Sequence, residues 1–225
     1  MTLQEAMSAR HKVSKYTDKP LSANDVRQLN DRIKAQNQKY GLNMKLVTES
    51  KDAMPGIIAA LMSKGVKNYI ILAGPDTTGI DEKLGYSSAD LMLYAQTLGL
   101  NTWWIGGMFS RKNAKKNVNA TDNTKIIGIV VVGYGENQGV PHKSKAASDV
   151  SSYDGTAPKW FNDGIKAALL APTAMNKQAF TIKGKGNKVS MTCNNGSYSG
   201  ADLGIGKYHF ELGAGRTILS GCNSA

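Results

Sequence analysis

The sequence predicts an α+β fold in which two structural repeats share one core. Helical segments and β-rich runs are interspersed along the 225 residues, and one short segment recurs half a chain later. Gly85–Leu91 reads GYSSADL and Ser197–Leu203 reads SYSGADL, and each is predicted to open a helix that ends in Leu-Gly. Two similar buried helices would then be related by a pseudo-two-fold axis, as in a symmetric dimer. A chance match stays open, because Ser before Ala-Asp is also ordinary N-cap chemistry.

The composition is that of an ordinary globular protein. Hydrophobic residues make up 41% and charged residues 20% of the chain, which allows a sizeable core at this length. The longest apolar stretch, Ile126–Val132, is too short to cross a membrane. Met1–Ala6 lacks the basic start of a signal peptide, and Cys193 and Cys222 are too few for a disulfide framework or a metal cage. We therefore expect a cytoplasmic, reduced protein with no membrane partner and no metal.

The charge balance is basic, with 28 Lys and Arg against 17 Asp and Glu and a net charge of +11. Such a surplus attracts phosphate groups, whether they belong to nucleic acid or to a nucleotide cofactor. The lysines are scattered along the chain, and there is neither an arginine-rich helix nor zinc-finger spacing. We therefore expect no nucleic-acid partner. A basic nucleic-acid-binding module remains an alternative that rests on net charge alone.

The first half predicts helices and strands in turn. Ser22, with Asp25 three residues later, forms a variant of the capping box at the start of a long helix that Gly41 ends. Because Leu84–Leu98 is apolar nearly all round, it is expected to be a central, buried helix. The remaining expected elements are helices at Met1–Ala9, Ala53–Met62 and Arg111–Val118, and strands at Asn43–Thr48, Asn68–Ala73, Ile126–Val132 and within Leu100–Phe109.

The second half begins with Ala146–Gly155, a small and polar stretch that is predicted to be a linker. Pro158 then marks the start of a helix. Phe180–Ile182 and Val189–Thr192 are predicted as two short strands around a Gly- and Lys-rich turn, and Ser199–Leu212 as the last helix.

Three polar segments could line a binding site. Arg10–Tyr16 gathers cations and hydroxyl groups that suit a phosphate, although a solvated basic loop has the same composition. Gly106 and Gly107 follow a short strand and would let the backbone approach a ligand, or simply turn the chain. Ala171–Phe180 joins a helix to a strand through Pro, Thr and Asn, which favours either a capped connection or a loop along a flat ligand.

Together these segments resemble the FMN-dependent nitroreductase superfamily, and in particular its single-chain branch of nitroreductases in which two repeats imitate the two subunits of the usual dimer. The resemblance covers nearly all of the chain and implies mostly antiparallel sheets flanked by helices. It rests on the motifs in Arg10–Tyr16, Ala89–Gly107, Lys143–Lys145, Ala171–Gln178 and Ala201–Glu211.

The resemblance implies a set of cofactor-binding residues. Arg10 and Lys12 would hold the FMN phosphate and ribityl side with His11 beside them, and Lys143 and Lys145 would close on the phosphate. Ser14 stands where the family usually has a cation, and Lys12 where it usually has Ser. The backbone of Gly106 and Gly107 would approach flavin N5. The loop along the isoalloxazine and ribityl would contribute Pro172, Thr173, Ala174, Asn176 and Gln178.

The implied function is hydride transfer from NADH or NADPH through flavin N5 to a small electron acceptor, such as a nitroaromatic compound or a quinone. Because the cofactor supplies the redox chemistry, no catalytic side chain is required, and His209 is expected to be a core histidine. The first repeat is expected at residues 1–145 and a shorter second repeat at residues 146–225, in one monomeric unit. The alternative is a flavin-binding carrier or sensor of the same fold without turnover, which the departures at Lys12 and Ser14 motivate.

Overall fold

The computed structural model describes residues 1–56 and 61–217, and in that part helices and strands are interspersed as the sequence predicts. The helices are α1 (Leu3–Ala9), α2 (Ala23–Tyr40), α3 (Ile80–Thr97), α4 (Arg111–Asn117), α5 (Ala147–Val150), α6 (Lys159–Ala168) and α7 (Ser199–Ala214). The strands are β1 (Lys45–Val47), β2 (Tyr69–Pro75), β3 (Asn101–Ile105), β4 (Thr124–Gly133), β5 (Ser151–Asp154), β6 (Phe180–Lys185) and β7 (Lys188–Cys193). The helix predicted over Ala53–Met62 includes residues 57–60, which lie outside the described residues.

The first sheet has the strand order β1-β2-β4-β3, and every neighbouring pair in it is antiparallel. Its two central strands are covered on both faces, which is why they are apolar at consecutive positions instead of alternate ones. Ile70 and Val130 pack into the cluster on the α2 and α3 side. Ile71 and Ile129 point to the other face, into the cluster that includes Trp103.

The second sheet has the order β5-β6-β7, with β5 and β6 parallel and β6 and β7 antiparallel. Its inner face meets α6 and α7 in a separate apolar cluster that contains Phe161, Ile182 and Phe210. The prediction of an α+β fold with mostly antiparallel sheets and flanking helices is therefore confirmed.

Helix α3 lies between these two clusters. Ala89 and Leu93 belong to the cluster of the second sheet, whereas Leu91 and Met92 belong to that of the first. Such division of one helix between two cores requires apolar residues nearly all round, so the prediction of a central, buried helix is confirmed.

Helices α3 and α7 cross so closely that small residues are required at the crossing. A Cβ atom built on Gly204 would lie 2.0 Å from the backbone oxygen of Glu82, and one built on Gly85 would lie 2.2 Å from that of Ala201. Both obstacles are backbone atoms, which can yield only if the helices separate. The two glycines therefore set the distance between the helices that join the two clusters.

We expect Gly204→Ala to lower the free energy of unfolding by about 3 kcal/mol, since overpacking against backbone is costly. Urea denaturation followed by far-ultraviolet circular dichroism measures the change. Gly196→Ala is the matched control, because a Cβ atom there meets no atom within 4 Å. Equal stability of the two variants would show that the helix crossing can relax.

Two predicted boundaries are wrong. The segment GYSSADL does not open a helix, since α3 begins at Ile80, five residues before Gly85, where Thr77 and Gly79 accept the first backbone hydrogen bonds. The last helix continues through Leu212 and Gly213 and ends at Ala214, with Gly215 at φ 67° as its C-cap. Gly213 lies where two helices pack closely, so a glycine is needed there for packing, and it does not end the helix as a C-terminal glycine often does.

The prediction that Ala146–Gly155 is an unstructured linker is also wrong. It folds into α5 and β5, and β5 pairs with β6 from Ser151 opposite Ile182 to Asp154 opposite Lys185. Backbone pairing with a strand later in the chain overrides the weak local preference of these small polar residues.

None of the helices in the described part of the chain is both long and apolar enough to cross a membrane.

Candidate functional site

A cavity of about 530 Å³ opens between the end of β3, the segment after α1, the loop after α6 and the beginning of α7. Its volume lies within the range of small-molecule and cofactor sites. The described residues that line it come from separated parts of the sequence: Arg10, His11, Lys12, Met62, Trp103, Trp104, Ile105, Gly106, Gly107, Met108, Val140, His142, Pro172, Thr173, Ala174, Met175, Asn176, Tyr198 and Asp202.

The segment after α1 reaches the cavity because it pairs with β3. Lys12 forms a parallel bridge with Thr102, and the backbone N–H of Val13 donates to the carbonyl of Thr102 over 3.3 Å. Pairing places Arg10, His11 and Lys12 beside the strand that ends in the Gly-Gly turn. Two segments whose bridged residues lie ninety positions apart in sequence thus form one wall.

Arg10 is a buried cation without a counter-ion among the residues that the structure describes. It is only 5% exposed, its Nε has no hydrogen-bond partner, and its side chain forms no ion pair within residues 1–56 and 61–217. Burial lowers its pKa to about 10, yet the group stays charged at neutral pH. A buried, unpaired guanidinium is costly, and an anionic ligand in the cavity would supply the missing partner.

His11 and Lys12 extend this polar wall. Burial, followed by the charge of Arg10 and the neighbouring His142, lowers the pKa of His11, so this ring is neutral at neutral pH and available as a hydrogen-bond donor. The ammonium group of Lys12 lies 4.9 Å from the centroid of the Trp103 ring, within the range of a cation–π contact. The wall therefore carries two fixed charges, at Arg10 and Lys12.

The Gly106-Gly107 turn packs against Tyr198 from the beginning of α7. A Cβ atom on Gly106 would lie 2.3 Å from Tyr198 Cε1, and one on Gly107 would lie 3.1 Å from the tyrosine hydroxyl. Tyr198 is held there by an edge-to-face contact with Trp104, whose ring centroid is 5.7 Å away. Glycine is thus required at position 106 because the side chain of Tyr198, which lies far away in the sequence, fills the space that a Cβ atom would need.

The loop after α6 contains a strained turn beside the cavity. Met175, Asn176 and Gln178 have φ values of 51°, 54° and 43°, in the left-handed region that non-glycine residues seldom adopt. Three such residues in four positions cost free energy, which the surrounding contacts must offset. The backbone N–H of Ala174 donates to Asp202 Oδ1 over 2.9 Å, and Asn176 Nδ2 donates to the Lys143 carbonyl over 2.8 Å.

Nine of the thirteen predicted site residues line the cavity: Arg10, His11, Lys12, Gly106, Gly107, Pro172, Thr173, Ala174 and Asn176. The other four do not. Ser14 is half-buried beyond the wall and accepts from the Lys64 backbone N–H through its carbonyl. Lys143 is exposed at the rim, where its carbonyl receives Asn176.

Gln178 and Lys145 form a support behind the loop, in which Gln178 is buried and Lys145 is exposed. Gln178 is fully buried, its Oε1 accepts from the Lys145 backbone N–H over 2.7 Å, and its Nε2 donates to the Leu169 carbonyl over 2.8 Å. The ammonium group of Lys145 donates to the Gln178 carbonyl over 3.1 Å. Neither residue lines the cavity, and this network fixes the loop from behind the lining, so both residues position other groups here.

His209 is a core residue, as expected. It is completely buried on α7, its Nδ1 lies 2.9 Å from the Ile205 carbonyl, and burial lowers its pKa to about 3. The neutral ring therefore donates from Nδ1 and does not reach the cavity.

Sequence reasoning missed several lining residues, most clearly Trp103, Tyr198 and Asp202. Tyr198 and Asp202 lie in the recurring segment SYSGADL, which the sequence suggested only as a helix start. Tyr198 is the N-cap of α7 and Asp202 lies in its first turn, and the recurrence of Tyr and Asp four residues apart was the available signal.

Comparisons with known proteins identify the fold. A family model described as "Putative TM nitroreductase" matches residues 2–214. No curated protein sequence is significantly similar to the chain. The structure of a "putative nitroreductase" from Thermotoga maritima has a TM-score of 0.70 and 19% sequence identity, and the match covers 94% of this chain and 83% of that one.

Two further structures match about two thirds of the chain. One, from Desulfovibrio desulfuricans, is described as a "putative nitroreductase in complex with FMN", with a TM-score of 0.52, 15% identity, and coverage of 67% of this chain and 95% of that one. Another, from Parabacteroides distasonis, is described as a "putative NADH dehydrogenase/NAD(P)H nitroreductase", with a TM-score of 0.53, 19% identity, and coverage of 66% and 95%. These likenesses establish a common fold.

Proposed function

Because the chain belongs to the "Putative TM nitroreductase" family, we propose that it is an FMN-dependent oxidoreductase that passes hydride from NADH or NADPH to a small electron acceptor. The FMN in a matching structure of the same fold supports the choice of cofactor.

The observation that carries the proposal is the buried guanidinium of Arg10. None of the described residues is a counter-ion to Arg10, and a monophosphate ester would provide one. Arg is suited to phosphate because its planar donors match two phosphate oxygens. A ligand with one anionic end and a large apolar body also fits the rest of the cavity, where Trp103, Ile105 and Met108 supply apolar surface. The residues present therefore fit FMN.

Different parts of the cavity would bind different parts of FMN. Arg10 and Lys12 would bind the phosphate, with His11 donating a hydrogen bond beside them. The backbone at Gly106 and Gly107 would face the reactive edge of the flavin, and Pro172–Ala174 with Asn176 would lie along its rings and ribityl chain. When bound, FMN supplies the hydride chemistry, while the protein binds, orients and shields it.

The acceptor proposed is an apolar, planar compound such as a nitroaromatic compound or a quinone. Met62, Val140 and Met175 line the cavity, yet they are 44%, 78% and 81% exposed. Large apolar side chains that are exposed together around one opening mark a surface that receives an apolar partner. Methionine is suited to this because its flexible thioether adapts to flat rings.

The two-repeat organisation, with residues 1–145 and 146–225 as the repeats of a monomeric pseudo-dimer, remains part of the proposal. It is supported by the position of the cavity, which takes Arg10 and Gly106 from the first segment and Ala174 and Tyr198 from the second. Sedimentation of the purified protein at a single-chain mass is the expected result.

The test is the visible spectrum of purified protein after incubation with FMN and exhaustive dialysis. We expect a retained yellow chromophore with a maximum near that of free flavin, which NADH or NADPH bleaches and menadione restores. A flavin carrier would keep the chromophore and resist bleaching by both nucleotides. Colourless protein after dialysis, with no fluorescence quenching in an FMN titration, would contradict flavin binding altogether.

A further inference from the structure

We propose that Asp202 is the catalytic acid of this cavity, holding a proton at Oδ2 and giving it to the electron acceptor. This inference rests on the proposed function and adds to it the source of the second hydrogen of the reduced product. The family resemblance assigned no such residue, and a flavin site needs none for hydride transfer alone.

The contacts of Asp202 leave one carboxyl oxygen for a ligand. Its side chain lines the cavity and is 6% exposed. Oδ1 accepts the backbone N–H of Ala174 over 2.9 Å, and Oδ2 has no hydrogen-bond partner and no ion pair within the described ranges 1–56 and 61–217. Lys177 acts on the carboxyl group only through its charge, without forming an ion pair. Among the described residues that line the cavity, it is also the one carboxylic acid.

The recurring segment supplies an internal comparison. Asp90 stands at the corresponding place in GYSSADL, four residues after Tyr86, just as Asp202 follows Tyr198. Asp90 is bound by Arg32 in a two-point ion pair, through Nε over 2.7 Å and Nη2 over 2.5 Å. A buried carboxylate that serves structure alone is neutralised in this way. Asp202 lies in the first turn of α7, whereas Asp90 lies in the middle of α3. Asp202 forms no ion pair among the described residues, and it faces a cavity.

The surroundings make the Asp202 carboxyl readily protonated. Burial raises its pKa to about 6, and the Ala174 hydrogen bond and the charge of Lys177 offset only part of that effect. An acid with a pKa close to the working pH holds a proton often and releases it easily, which is the condition for general acid catalysis.

The neighbouring ionisable groups do not supply an equivalent proton. Cys193 on β7 faces Asp202 and has its pKa raised to about 11 by burial and then by that carboxylate. Lys145 and Lys177 act on the pair only through their charge. Across the cavity, burial lowers the pKa of His11, so this ring is less readily protonated than a free imidazole.

The chemistry balances with Asp202 as the acid. A quinone becomes a hydroquinone by taking up a hydride, which carries two electrons and one hydrogen, and one further proton. The O–H bond at Asp202 Oδ2 breaks, an O–H bond forms on the quinone oxygen, and the carboxylate left behind regains its proton from solvent. The electrons come from NADH or NADPH through the cofactor of the proposed function.

Stopped-flow measurement of the two half-reactions in Asp202→Asn tests the proposal. The amide keeps an oxygen for the Ala174 N–H and cannot ionise. We expect NADH or NADPH to reduce the bound FMN at the wild-type rate, because uptake of hydride needs no added proton. Reoxidation by menadione should slow by about 100-fold, the scale of general acid catalysis. Reoxidation by ferricyanide, which takes electrons and no proton, should be unchanged.

The pH dependence provides a second, matched result. In the wild type the rate of reoxidation by menadione should fall as pH rises above about 6, whereas the rate of reoxidation by ferricyanide should not. In Asp202→Asn neither rate should change with the titration of a group at that pH. Asp163→Asn, which changes a carboxylate on α6 outside the cavity, should behave as the wild type. Equal menadione rates in Asp202→Asn and wild type would overturn the inference.

A readout without cofactor completes the test. Because the folded state binds the Asp202 proton more tightly than the unfolded state, this group makes the wild type lose stability as pH rises from about 4 to 6. The apo Asp202→Asn protein should therefore gain stability relative to apo wild type over that range, in urea denaturation at pH 4 and pH 7. If the difference in the free energy of unfolding between variant and wild type were the same at pH 4 and pH 7, Asp202 would not have the raised proton affinity that the inference needs. A protein that binds no FMN, or is not reduced by either nucleotide, would contradict the proposed function instead.

Discussion

Arg10→Met should weaken FMN binding by about 10- to 100-fold while leaving the apo protein as stable as the wild type or more so. A hydrogen bond to a charged group contributes about 1.5–3 kcal/mol, and about 1.4 kcal/mol corresponds to a tenfold change in affinity. In the apo protein the same guanidinium is buried with no counter-ion in the described part of the chain, so its removal relieves an unfavourable burial. Methionine retains most of the apolar stem and limits the packing change.

Fluorescence titration gives the FMN affinity, and thermal unfolding with and without FMN gives the two stabilities. Lys34→Met is the matched control, because Lys34 is exposed on α2 and away from the cavity, and it should alter neither quantity. Equal FMN affinity of the Arg10 variant and the control would remove Arg10 from the phosphate site. A large loss of apo stability would instead identify Arg10 as a structural residue.

Asp90→Ala should produce the largest loss of stability, about 3–5 kcal/mol, the cost of breaking a buried ion pair by removing one partner. Asp90 is 1% exposed. Besides Arg32, it accepts Gln36 Nε2 and the Tyr208 hydroxyl, each over 2.7 Å. Its loss therefore leaves a partly buried guanidinium, an amide and a buried hydroxyl without their shared acceptor, at a junction between α2, α3 and α7.

The midpoint of urea denaturation measures this effect, and Asp163→Ala is its control. Asp163 pairs with Lys159, whose side chain is 90% exposed, and solvent-exposed pairs contribute about 0–1 kcal/mol. A shift of less than about 1 kcal/mol for Asp90→Ala would show that Arg32 finds another partner or reaches water. The contrast with Asp202→Asn, which should not destabilise at neutral pH, separates a structural carboxylate from a functional one.

Much of the fold could be predicted from local sequence. The capping box of Ser22 and Asp25, the left-handed Gly41 at the end of α2, and the apolar runs of β2 and β4 all have the structure that their patterns predict. These features depend on contacts within a few residues, or on the burial of whole segments, and both are recorded in spacing and polarity.

The misplaced boundaries share one physical cause. Helix α3 extends back to Ile80 because its first turn packs against the sheet, and Ser151–Asp154 forms a strand because β6 offers it backbone partners. The predicted end at Leu212-Gly213 failed because Gly213 lies against Ala167 and Asp163 of α6, where a Cβ atom would be 2.3 Å from that of Ala167. Contacts with remote segments decided each case, and local propensity does not contain them.

The candidate site shows the same division. The basic cluster after α1, the Gly-Gly turn and the loop at Pro172–Asn176 could be proposed from residue types, because phosphate binding and close backbone approach require particular chemistry. Their convergence on one cavity, and the separation of Gln178 and Lys145 into a support behind it, depend on the packing of distant segments.

By itself, therefore, the sequence determined the fold class, the central helix and the chemical character of the binding segments, since these follow from periodicity, capping and residue type. The tertiary structure alone decided which carboxylate of the recurring segment is paired. Asp90 and Asp202 are equivalent in sequence, but Arg32 reaches only the first. Charge neutralisation is a matter of a few ångströms between remote residues, and that distance exists only in the folded protein.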